Sequence, residues 1–223
     1  MIRLFLFTLS VLLSQASVSA AIGPAVPRER VCTVAELNRR LEEPQSQDFH
    51  FTLTGVVTAV SKPEKSNRYG SIVLRDQTDR GQIFSSVLRQ YPEIGSRVIA
   101  IGHAHVTKSM ERWMECVTAT TIGRVTPDEP IPVPLSRLED RETDLWTVKV
   151  SATVIDAFRD DLDPDNYFIL LKDNATVVPA IGPPDSGYKD LVDAKVEVTG
   201  IVRRSILGGR KYLGSCLCTA GLE

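Results

Sequence analysis

The sequence predicts an all-β protein with short helices, built as two tandem five-stranded barrels, and three observations predict it. First, the chain matches itself at an offset of 97. Leu53-Thr54-Gly55-Val56-Val57 falls on Val150-Ser151-Ala152-Thr153-Val154, and Ile72-Val73-Leu74-Arg75-Asp76-Gln77 on Ile169-Leu170-Leu171-Lys172-Asp173-Asn174. A period near one hundred residues is too long for a solenoid unit and is the length of a domain. Second, each copy alternates apolar and polar residues in β-branched-rich runs, the pattern of half-buried strands. Third, Pro127, Pro130, Pro132 and Pro134 crowd the segment between the copies. That density forbids a helix or a central strand and makes residues 126–134 a stiff, extended linker.

The 223 residues are 43% hydrophobic and 24% charged, ordinary for a folded domain. With 26 Lys plus Arg against 28 Asp plus Glu, the formal charge of −2 argues against a cationic nucleic-acid binder acting through its whole surface. Met1-Ile2-Arg3 precedes the apolar run Leu4–Leu13, and a small-residue ending closes at Ser19-Ala20. This is the layout of a secretory signal peptide, and the run falls well short of the ~20 residues that span a bilayer. Residues 1–20 are therefore expected to be removed after Ala20, leaving a soluble periplasmic or secreted protein. Cys32, Cys116, Cys216 and Cys218 remain, and export permits disulfides among them, with three fully paired connectivities open. Cys216-Leu217-Cys218 lacks a second pair at zinc-ligand spacing.

After a lead-in at 21–32, the first domain is expected over 33–125. Thr33-Val34-Ala35-Glu36 reads as a capping box opening a short helix, with the Thr33 hydroxyl and Glu36 carboxylate on orphan amides. Phe51–Thr58 alternates as a strand, and its mid-strand Gly55 suggests a bulge or sharp bend. Ile72–Arg75, Gly81–Phe84, Arg97–Val106 and Trp113–Thr121 follow as strands, with a brief helix over Ser85–Tyr91. The second domain, 135–223, repeats the order. Ser136-Arg137-Leu138-Glu139 opens it and a helical connection runs over Pro183–Asp190. Five strands with a bulged first strand and a connection after the third describe the OB-fold barrel.

Phe51–Thr58, Ile72–Asp76 and Val148–Asp161 resemble the tandem OB-type segments in extracytoplasmic sensor regions of bacterial histidine kinases. The resemblance spans about residues 33–221 and implies a sensor-like binding function without cofactors. Because the sequence ends at Glu223 with neither membrane segment nor kinase after the second copy, a detached module is expected.

OB-folds bind across strands two and three and in the loops joining strands one to two and four to five. In the first copy those places hold Lys62, Lys65, Arg68, Tyr69, Arg75, Lys108, Arg112 and Trp113. Cations interleaved with aromatics suit a groove that tracks a charged backbone and stacks its rings. A polar, solvated loop with Trp113 packed in the barrel is the plainer alternative. His103-Ala104-His105 puts two imidazoles on one strand face, but no third metal ligand is nominated. Asp161, Asp163 and Asp165 alternate as in a calcium loop, yet Asn166 replaces the turn Gly and Lys172 the bidentate Glu. Leu207-Gly208-Gly209-Arg210 reads as a hairpin turn rather than a phosphate loop. No hydrolytic motif is found, so an enzyme is not expected. The leading expectation is a non-catalytic, sensor-like module for a small ligand, a glycan or a protein. The alternatives are an exported single-strand nucleic-acid binder and a structural spacer.

Overall fold

A computed structural model describes residues 30–43, 45–63, 68–107, 112–161, 164, 166–183, 186–203, 206–207, 210–211 and 216–222. The expected signal peptide lies outside them. The first sheet contains β1 (Arg30–Val31), β2 (Gln47–Ser61), β3 (Gly70–Arg75), β4 (Arg80–Ser85), β5 (Ser96–Val106) and β6 (Arg112–Arg124), in the order β4-β3-β2-β5-β6 with β1 parallel to β2. The helix α1 (Val34–Glu42) precedes β2. The second sheet contains β7 (Ile131–Pro132), β8 (Thr147–Arg159), β9 (Tyr167–Asp173), β10 (Thr176–Gly182), β11 (Lys195–Arg203) and β14 (Cys216–Leu222). A separate hairpin pairs β12 (Ile206–Leu207) with β13 (Arg210–Lys211), and Gly208 and Gly209, expected to make its turn, lie outside the described residues.

The second sheet closes on itself. β10 pairs parallel with β14 through Ala180↔Leu217 and Ile181↔Cys218, and β11 pairs with both β14 and β8. This is the OB-type barrel, with Val150, Ile169, Leu171, Val198 and Leu217 in its core. The first sheet follows the same strand order but stays open between β4 and β6. Side chains bridge the seam instead: Ser85 Oγ donates to the Cys116 carbonyl at 2.7 Å. The Glu115 carboxylate accepts from Ser86 N at 2.7 Å and Ser86 Oγ at 2.8 Å. A register shift in the β5–β6 ladder, from Ile101↔Thr118 to Gly102↔Cys116, leaves Val117 outside the pairing. Such a bulge bends its strand, which accounts for β6 leaving the β4 edge unpaired. Against the expectation of two closed barrels, the second sheet closes by a ladder and the first remains an open sheet whose edges are bridged by side chains.

The repeat is visible in backbone detail. The bulge between Val57 and Ala59 recurs between Val154 and Asp156, 97 residues on. Gly95 (φ 83) donates its amide to the Val57 carbonyl, and Asp193 (φ 69) does the same for Val154. Gly55 is not the bulged residue. It is needed because a Cβ there would lie 2.8 Å from the Arg75 carbonyl.

Three local expectations need correcting. Thr33 does cap α1, its hydroxyl accepting from Glu36 N at 3.2 Å. The Glu36 carboxylate, however, turns to Arg39 and Arg40, and those guanidiniums hold its pKa at about 2. The remaining amides of the first turn are satisfied from the β3–β4 turn, Val34 N by Asp76 Oδ2 at 2.8 Å and Ala35 N by Thr78 Oγ1 at 3.1 Å. Residues 86–91 form no helix, although the Ser85 hydroxyl accepts from the Val87 and Leu88 amides as a helix cap would, and the Tyr91 hydroxyl donates to the Ser85 carbonyl. Ser136 lies inside a 3₁₀ helix (Leu135–Glu139) that starts after Pro134 with no side-chain cap. Leu135 and Leu138 are buried at i, i+3, the spacing that a 3₁₀ turn puts on one side. The helical connection of the second copy is also 3₁₀, Ser186–Leu191.

Candidate functional site

The structure scatters the residues nominated for the first copy. Lys62, Arg68 and Tyr69 are exposed between β2 and β3, and Arg112 and Trp113 are exposed at the start of β6. Lys65 and Lys108 lie outside the described residues. Arg75 ends β3, so it stands six residues, about 20 Å at strand rise, from the Arg68–Tyr69 end. Of the six described residues, Arg75 and Arg112 line clefts, and these are two different ones. Trp113 is not packed in the barrel: it is 44% exposed and lies over His103 with ring centroids 4.8 Å apart. His103 faces His50 across β2 and β5, while His105 contacts Asp48 at 2.6 Å. Among the described residues no group of three His, Cys, Asp or Glu is arranged to hold a metal. Asp161 is exposed, and Asp163 and Asp165 lie outside the described residues. Cys116 is buried, and burial pushes its thiol up to about 12; Cys32 is exposed, and neither forms a disulfide.

The outer face of β3 and β4 is the face on which an OB barrel was expected to bind. Alternation on β4 turns Gly81, Ile83 and Ser85 inward and Arg80, Gln82 and Phe84 outward. On β3, Ile72 and Leu74 supply the core, yet Ser71 and Val73 on the opposite face are also buried. Side chains of the second sheet's portion of the chain reach this face. Arg203 Nη2 donates to Ser71 Oγ at 3.2 Å, and Gln82 donates to the same hydroxyl at 2.8 Å. The Arg80 guanidinium lies over the Trp146 ring, 4.8 Å from its centroid. This explains why the nominated groove does not form: the middle of the expected face is already covered.

A cleft of about 1100 Å³ opens beside this contact, between α1, β4, the start of β6 and the segment 142–146. Arg80, Arg112 and Arg203 line it together with Phe84, Met114 and Trp146. Glu42, Asp79, Glu142 and Asp144 line it too, so the cleft has both signs of charge. Asp79 is engaged by the Asn38 amide at 2.7 Å, and Glu142 is 3.7 Å from Arg137. Arg112 has no hydrogen-bond or ion-pair partner among the described residues, and Arg203 Nε is buried without an acceptor. Burial, and then the charge of Arg75, push the Arg80 pKa down. The arrangement offers cationic donors beside an apolar, aromatic wall. Only Arg112 of this set was nominated from sequence. The period-2 outward placement of Arg80, Gln82 and Phe84 was the available signal for the others on β4, whereas Trp146 and Arg203 enter from another part of the chain.

A second cleft, of about 450 Å³, lies at the far end of β3 and is lined by Arg75, Arg97, Thr33, Thr54, Val56 and Val125 among others. Arg75 Nη2 is paired with Asp128 Oδ1 at 3.0 Å, and Arg75 Nε is buried without an acceptor.

No family model and no curated protein matches the chain. Among solved structures it is similar to a putative aspartyl-tRNA synthetase from Leishmania major Friedlin, at 16% identity and a TM-score of 0.34, over 48% of this chain and 22% of that one. It is also similar to a murine DNA-binding protein bound with double-stranded DNA, at 11% identity and a TM-score of 0.35, covering 77% of this chain and 97% of that one. The p202 HIN1 domain in complex with 12-mer double-stranded DNA gives 10% identity and a TM-score of 0.36, over 80% and 93%. The chain thus spans about a fifth of the synthetase. Likenesses this distant transfer no ligand, and what the chain shows by itself is an all-β fold with an OB-like barrel.

Proposed function

We propose that the chain is an exported, non-catalytic binding module that takes its ligand in the cleft between its two barrels. The observation that carries the reading is Arg80 held on Trp146, a cation–aromatic wall assembled from both copies, with Arg112 lining the same cleft. The cleft's volume is at the upper end of small-ligand sites, and its mixture of cations, carboxylates and rings suits a small polar molecule, a glycan or a protein side-chain cluster. A sensor-like role is consistent with the resemblance of both copies to kinase sensor regions. Export to the periplasm or medium is supported by the signal-peptide layout of residues 1–20. The absence of hydrolytic and phosphate-loop motifs from the sequence supports binding without chemistry.

A second reading, single-stranded nucleic-acid binding, is favoured by Tyr69 and Trp113, which are 45% and 44% exposed near Lys62, Arg68 and Arg112 in sequence. Salt separates the two, because phosphate contacts weaken steeply with ionic strength whereas packing on the apolar wall of Phe84, Met114 and Trp146 does not. The test is binding of purified protein to glycan and oligonucleotide arrays at two salt concentrations. Salt-tolerant binding lost in Trp146→Ala supports the cleft. Salt-sensitive oligonucleotide binding lost in a Lys62, Lys65 and Arg68 to Ser triple variant supports the second reading and overturns the first.

A further inference from the structure

The bulge after Val57 places Arg75 and Arg97 in one cross-strand row. Arg75 on β3 and Arg97 on β5 are both the register partners of Val56 on β2. Directly opposed residues share a sheet face, so the two guanidinium stems rise on either side of Val56. Their Cα atoms are about two strand spacings, roughly 10 Å, apart. The row lies on the floor of the 450 Å³ cleft, well within the size range of small-molecule sites.

Its chemistry is unbalanced. Arg97 is exposed and has no hydrogen-bond or ion-pair partner among the described residues. Arg75 keeps a buried Nε with no acceptor. Among the described residues the carboxylate paired with Arg75 is that of Asp128, which reaches it from the segment 126–134. Asp76 also borders the cleft, but both its oxygens are committed, Oδ2 to Val34 N and Oδ1 to Thr78 and Asp79. Asp76 therefore acts as the cap of α1, so that Arg75 has Asp128 as its ion-pair partner and Arg97 has none among the described residues. Between them Val56 and Val125 provide an apolar strip, and Thr54 adds a hydroxyl at the rim.

We propose that this cleft is a binding site for a small dicarboxylate, one carboxylate replacing Asp128 on Arg75 and the other engaging Arg97, with the methylene body over Val56. Asp128 is the internal stand-in for that ligand. Guanidinium forks suit carboxylates bidentately, and two forks separated by an apolar residue select two carboxylates separated by carbon. The site is separate from the inter-barrel cleft and does not depend on it.

The test is calorimetric titration of the full chain with succinate and glutarate, with propionate and inorganic phosphate as the single-anion probes. The amide resonances of Val125, which donates to the Gly95 carbonyl, and of Gly95, which donates to the Val57 carbonyl, report the location. Asp128→Asn, which removes the competitor, is expected to tighten dicarboxylate binding about fivefold or more. Arg97→Gln, which removes a guanidinium without a partner among the described residues, is expected to weaken it at least tenfold, and Trp146→Ala to leave it unchanged. Propionate and phosphate are expected at least tenfold weaker. The proposal is overturned if neither wild type nor Asp128→Asn binds a dicarboxylate, if Arg97→Gln binds as wild type, or if phosphate binds as well as succinate. Should Arg75→Gln fail to fold, the Asp128 and Arg97 variants still decide the matter.

Discussion

Arg75 and Arg80 face each other directly across the β3–β4 ladder, two cations in opposed register on the outer face of the first sheet. Like charges in that position repel, and the fold answers with Asp128 on one and the Trp146 ring over the other. Arg97 continues the row two strands further on. The row is a feature of pairing, since its members are far from regularly spaced in sequence.

Arg80 is expected to cost stability rather than supply it. Burial and the Arg75 charge push its pKa down, against the weaker opposing pull of Asp128 and Asp79, so the fold disfavours the charged side chain. Arg80→Met keeps the stem and offers sulfur to the Trp146 ring. Urea denaturation should show the variant equal to wild type or more stable by about 0.5 kcal/mol. A loss above about 1 kcal/mol would mean that the stacking outweighs the repulsion.

Asp76 links α1 to the β3–β4 turn and should make the first domain acid-sensitive. Burial alone would raise its pKa, but hydrogen bonds from Thr78, Val34 and Asp79 outweigh that and hold it below the ordinary carboxylate value. A depressed carboxyl stabilises above its unfolded pKa, near 4, and that contribution is lost as pH falls through the folded value. Asp76→Ala should lose about 1–2 kcal/mol at pH 7, with the gap to wild type narrowing below pH 4. A gap independent of pH between 2 and 7 would rule out the ionised cap.

The side-chain seam should breathe more than the ladder that replaces it in the second copy. Hydrogen exchange at β4 and at residues 112–116 of β6 is expected to be faster than at Ala180–Ile181 and Leu217–Cys218, whose strands are paired. Ser85→Ala combined with Glu115→Gln should speed exchange at the seam by a further tenfold, about 1.4 kcal/mol, and leave the second barrel unchanged. Equal protection of the two seams in wild type would contradict the open topology.

Two glycines in the β5–β6 region give opposite expectations. A Cβ at Gly102 would overlap the Glu115 carbonyl and the Phe51 ring, whereas one at Gly123 meets nothing within 4 Å. Thermal unfolding should place Gly102→Ala about 3 kcal/mol or more below wild type and Gly123→Ala within about 0.5 kcal/mol of it.

Much of the architecture was legible before any coordinates. The 97-residue offset carried over into matching bulges after Val57 and Val154, and Thr33 capped its helix as its position ahead of an apolar stripe implied. Local chemistry failed where a residue had two partners to choose between. Glu36 chose Arg39 and Arg40 over the backbone. Of the nominated site residues, Arg75 and Arg112 line clefts, but two different ones.

By itself the sequence determined the all-β class, the repeat, and which side of each strand is apolar, because period-2 patterning and turn chemistry act between residues close in the chain. Only the tertiary structure decided which barrel closes and what lies on its outer face. Whether β4 meets β6 depends on a bulge at Val117 and on Ser85 reaching Cys116, 31 residues away. Whether Arg80 is solvated or stacked depends on Trp146, and whether Arg75 stands beside Arg97 depends on both pairing with Val56. Strand alternation fixes the face on which a side chain emerges. Its neighbours there are set by ladder register and barrel contact, which join residues tens of positions apart.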